Sequence, residues 1–99
     1  MDDASTISQV EVEKASTRGR VSLIEGSFVT GHGRYRFSGI IVMSVGGPSV
    51  GVSLREEDVL KLLSRGVGRE QIDGMIAELE RRIVEGDFDM KGEVEHVED

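Results

Sequence analysis

Thr30-Gly31-His32-Gly33-Arg34 is the short segment of this chain with the widest chemical possibilities. An imidazole can donate or accept a hydrogen bond, bind a metal or move a proton near neutral pH. Glycines on either side let the backbone approach a ligand closely. His32 is therefore the candidate centre of a small ligand-binding or catalytic module. The same residues do not make a dinucleotide fingerprint: Gly31-x-Gly33-x-x-Arg36 lacks the third glycine, and no βαβ unit surrounds it. Gly47-Pro48-Ser49-Val50-Gly51 carries the Gly-x-Ser-x-Gly pattern of a nucleophile elbow. That elbow needs a strand-to-helix turn in a large parallel sheet, and a chain of 99 residues has no room for one. Ser49 reads instead as a turn residue after proline. His32 and His96 are the only imidazoles and there is no cysteine, so no catalytic set, cofactor or metal site is expected.

Charge supplies a second candidate. Residues 14–36 hold Lys14, Arg18, Arg20, Arg34 and Arg36 against Glu25, a local excess of +4. Basic groups near Tyr35 and Phe37 suggest a nucleic-acid surface, since phosphate neutralisation and base stacking are what such surfaces supply. The spacing opposes it: Tyr35 and Phe37 alternate with Arg34 and Arg36, so rings and charges face opposite ways on a strand. The net charge of −7 comes from the ends. Asp2 and Asp3 contribute −2, residues 87–99 carry six acids against Lys91, and residues 4–86 balance eleven acids with eleven bases. An acidic end of this kind serves solubility.

Leu62 to Leu79, LLSRGVGREQIDGMIAEL, resembles the core of a helix-turn-helix, with a glycine stop followed by an amphipathic helix. The second helix, however, sets Glu70, Asp73, Glu78, Glu80 and Glu85 against Arg69, Arg81 and Arg82, and the first opens with Glu56-Glu57-Asp58. A surface that repels phosphates is a poor reader of DNA. The pair of helices is a packing element on this reading.

The elements that would position these residues follow from periodicity. Val10 and Val12 alternate with polar neighbours in a first strand over 7–14. A second strand, 20–29, changes parity between Leu23 and Phe28, which predicts a bulge at Glu25-Gly26. The third, 34–45, alternates through Tyr35 and Phe37. From Ile40 to Val45 it is apolar on both faces, the pattern of a strand covered on both sides. Val50, Val52 and Leu54 form a short fourth strand. Ser53 to Glu56 has the spacing of a capping box, and Gly66 would end the first helix in a left-handed cap with Val67 folded back on Leu62. A second helix runs from about 69 to 85 with Ile72, Met75, Ile76, Leu79 and Ile83 on one stripe.

The expected architecture is α+β: a four-stranded antiparallel β-meander followed by a C-terminal helical hairpin packed on one face of the sheet. One domain spans residues 6–86, after a disordered segment 1–5 and before an acidic flexible tail, 87–99. Two helices cover one face only, so Ile40 and Val42 on the other need a lid. Gly74 and Ala77 form a small-residue patch that also suits close contact. The expected function is a non-enzymatic protein-interaction domain that self-associates, with a nucleic-acid-binding regulator as the alternative and a His32-centred module as the second. No membrane partner is expected. Met1-Asp2-Asp3 lacks the basic start of a signal peptide and cysteine is missing, so a cytoplasmic location is expected.

Overall fold

A computed structural model describes residues 6–96, with side chains through residue 92. The expected features of 1–5 and of 97–99 lie outside the described residues. Five strands form one sheet: β1 Gln9–Arg18, β2 Val21–Thr30, β3 Gly33–Ser44, β4 Gly47–Leu54 and β5 Asp89–His96. Two helices, α1 Glu56–Ser64 and α2 Arg69–Glu85, lie between β4 and β5 in the chain. Spatial order is β4-β3-β2-β1-β5. The first four strands are the antiparallel meander expected from alternation, while β5 runs parallel to β1 at the far edge.

The inner face is the core. Val10, Val12, Ile24, Phe28, Tyr35 and Phe37 are buried in one cluster with Leu62, Val67, Ile72, Met75, Leu79 and Ile83 from the helical segment. The helix ends match their residues. Gly66 takes φ +88°, the Val67 amide donates to the Leu62 carbonyl at 3.0 Å, and both side chains are buried. That is the Schellman ending the sequence predicts. Gly86 repeats it for α2, with φ +76° and the Asp87 amide on the Arg82 carbonyl.

Four expectations are corrected. The bulge is not at Glu25-Gly26: β2 and β3 pair without a break, and the shift lies in β1, where Val12 faces Gly26 and Lys14 faces Glu25. Glu13 is the extra residue. Two glycines admit it, because a Cβ on Gly26 would collide with the Glu11 carbonyl and one on Gly92 with the Glu13 backbone. Ser53 does not cap α1; it belongs to β4, and the N-cap is Arg55 with no side-chain bond. In place of a cap, Asp58 in the first turn is buried and accepts the Arg36 amide at 3.3 Å. β4 pairs with β3 only as far as Phe37, so this amide lacks a strand partner. Residues 89–96 are not a loose tail but β5.

The fourth correction concerns β3. Its doubly apolar half is not covered on both sides: Ile40 is 43 % exposed and Val42 38 %. Both have the parity opposite to the buried Tyr35 and Phe37 and so face away from the core cluster, while Met43 and Val45, of the inner parity, are exposed beyond its end.

Candidate protein-interaction face

The register assembles the outer face row by row. Leu23 stands beside Ile40, and Val21 beside Val42, at adjacent positions on the two central strands β2 and β3. All four are exposed, Leu23 most of all at 56 %. Ser16 and Gly51 flank the Leu23–Ile40 row, and Arg18 and Ser49 flank the Val21–Val42 row, so one long charged side chain borders the block and its other lateral neighbours are short. A shallow depression of about 380 Å³ opens next to Leu23 and Ile40, bordered by Ser38, Gly51 and Ser53. The parity break at Leu23 that suggested a bulge is explained here. Val21 and Leu23 belong to the outer face and Ile24 and Phe28 to the inner one.

The other end of the same face is polar and internally paired. Arg34 meets Glu11 at 3.0 Å and also donates to the Ser27 hydroxyl at 3.0 Å. Arg36 meets Glu13 at 2.9 Å, and Gln9 donates to Glu11 at 2.9 Å. Ser27, itself buried, donates to Glu13. The bulge at Glu13 brings this carboxylate to Arg36. The basic candidates therefore do not form one surface. Arg18 and Arg20 sit at the β1–β2 turn, while Arg34 and Arg36 lie at the opposite end of the sheet, some eight residues or about 26 Å away along β2. Lys14, opposite Glu25, lies between them. Tyr35 and Phe37 are buried on the inner face, as alternation requires.

His32 occupies the β2–β3 turn, and that turn is pinned down. Its carbonyl accepts bonds from the Tyr35 hydroxyl (3.0 Å) and from the Arg65 guanidinium, and its amide donates to the Thr30 hydroxyl. These bonds engage the backbone, and three cavities of about 380, 210 and 200 Å³ among the described residues are lined by other side chains. Ser49 lies within the edge strand β4, opposite Val42, and not on a strand-to-helix elbow. Among the described residues no three His, Asp or Glu side chains are grouped to hold a metal ion, and no helix is long and apolar enough to cross a membrane. Gly74 and Ala77 are exposed on α2, with open space where a Gly74 side chain would extend.

Set against protein-family models, curated proteins and solved structures, the chain matches none.

Proposed function

We propose that this protein is a non-enzymatic protein-interaction domain that self-associates through the outer face of its sheet. On this reading α1 and α2 form one hairpin seated on the inner face, and the outer face is left for a partner. The observation that carries it is the block Val21, Leu23, Ile40 and Val42, four large aliphatic side chains contiguous on two central strands and exposed together. Scattered surface aliphatics are ordinary, whereas a contiguous patch marks a contact site.

Magnitudes set the strength. Each side chain keeps roughly half its surface, so covering it is worth about 1 kcal/mol, and about 8 kcal/mol for the eight in a pair. Lost translational and rotational freedom costs at least about 4 kcal/mol, which leaves a weak complex, with Kd in the high-micromolar to millimolar range. A weak, reversible contact suits a regulatory or assembly role. The charge layout supports protein over nucleic acid as the partner. Arg34 and Arg36 are already ion-paired, and the helical segments carry an acidic excess.

Sedimentation equilibrium across a concentration series tests the proposal. Self-association that is lost in Ile40→Asp, with the circular dichroism of the fold retained, is the expected result. A monodisperse monomer at millimolar concentration would overturn it.

A further inference from the structure

We propose that the depression beside Leu23 and Ile40 receives a basic side chain from a partner protein, with its cationic end on Glu80. The inference does not rest on self-association. It concerns the margin of the same face, where the aliphatic block gives way to a carboxylate. Glu80 belongs to α2, yet its side chain reaches the edge of β4 and accepts the Val52 amide at 3.0 Å. There it is the one charged residue among the described residues that line the depression. Leu23 and Ile40 supply apolar wall, Gly51 leaves room where a side chain would stand, and Ser38 and Ser53 add hydroxyls.

The carboxylate is half-buried, and the bond it makes is to a neutral amide. Its neighbours one helical turn away are Ile76, Ala77, Ile83 and Val84, none of them a cation. Arg81 is held by Glu78 and Glu85, and Arg82 by Glu78. β4 contains no charged residue. On the outer face the register sets Glu25 beside Ser38, with Lys14 on its far side, three strands or about 14 Å from Ser53. Arg36, one row further, is ion-paired with Glu13. The depression therefore joins an apolar wall to an anion that no cation matches among the described residues. A long basic side chain has the complementary form, apolar along its stem and charged at its tip. Its N–H groups find acceptors in the carboxylate and the two hydroxyls. A volume of about 380 Å³ is near the low end for ligand sites, which suits one side chain better than a whole cofactor. A phosphate group would meet Glu80 and no cation, so nucleic acid does not fit here.

Amide NMR titration with two capped peptides, acetyl-Leu-Lys-Leu-amide and acetyl-Leu-Gln-Leu-amide, tests the site at low salt. The protein is held at about 50 μM, below the range proposed for self-association, so the two readings fail separately. The lysine peptide is expected to shift Ile40, Gly51, Val52 and Ser53 and to bind about threefold tighter than the glutamine peptide. Glu80→Gln keeps an acceptor for the Val52 amide and removes the charge; it is expected to abolish that preference with the fold intact. Gly51→Val fills the floor, where a Cβ meets only Ile40 at an ordinary 3.5 Å, and is expected to weaken both peptides. Equal binding of the two peptides, or a lysine preference that survives Glu80→Gln, would overturn the proposal. So would shifts centred on Glu78 and Glu85, binding indifferent to Gly51→Val, or no shift with peptide at about 20 mM.

Discussion

Single residues in this chain act chiefly through where a side chain is missing. Gly26 and Gly92 flank the bulged Glu13, one from β2 and one from β5, and neither site has room for a Cβ. Gly26→Ala, at the centre of the sheet beneath Phe37, is expected to destabilise the fold by about 2 kcal/mol or more in urea unfolding. Gly92→Ala strikes only the edge, so it is expected to release β5 while the first four strands hold; amide exchange should then rise in 89–96 alone. Glu78 shows the reverse case of added contacts. The bidentate hydrogen bond from Arg81, helped by Arg82 and opposed by partial burial, pulls its carboxyl down from the ordinary 4.5 to about 2. A carboxyl pKa depressed on folding stabilises the folded state above about 4.5, and the contribution is lost as pH falls through about 2. Because the group is near the surface, its share of stability is below about 1 kcal/mol. A carbon-detected titration is expected to place the Glu78 midpoint near 2, and a midpoint above 4 would show that the pairing does not persist in solution.

At the scale of elements, two carboxylates hold helices to strands. Asp58 of α1 accepts the Arg36 amide, and Glu80 of α2 accepts the Val52 amide at 3.0 Å on the outer edge of β4. An edge strand with open amides is a template for unwanted pairing, and Glu80 closes one of them. Asp58→Ala leaves a backbone donor without a partner and is expected to cost about 1–2 kcal/mol, read from the unfolding midpoint. How much of this the sequence disclosed depended on the signal each element carried. The meander, α2 and both glycine helix stops were legible because alternation, a helical stripe and left-handed glycine are strong local signals. β5 was not, because Gly92 interrupts the alternation of Phe88, Met90 and Val94 and charges fill the other positions. The bulge was misplaced because Ala15, the buried residue that marks the parity change in β1, is small and weakly hydrophobic. The doubly apolar half of β3 was correctly seen as apolar, but periodicity does not report whether another element lies over each face.

The two faces of the sheet differ: one is buried in a cluster with side chains from the helical segment, and the other carries an exposed aliphatic block bordered by Ser16, Arg18, Ser49 and Gly51. That arrangement explains why the candidate face was only half visible beforehand. Ile40 and Val42 stood out by their position in a doubly apolar run. Leu23 and Val21 did not, because a parity break looks the same whether it comes from a bulge or from a residue on the other face. Net charge bears on the contact as well. Two chains of −7 repel one another, so added salt is expected to strengthen self-association, opposite to the salt response of a nucleic-acid complex. Sedimentation at low and high ionic strength checks the sign.

The measurement that bears most directly on the outer-face contact is a concentration series of amide NMR spectra, from dilute to millimolar protein. The expected result is shifts that grow with concentration at Val21, Leu23, Ile40, Val42 and Gly51, while Gly74 and Ala77 on α2 stay still. Spectra that do not change, or changes centred on α2, would contradict it.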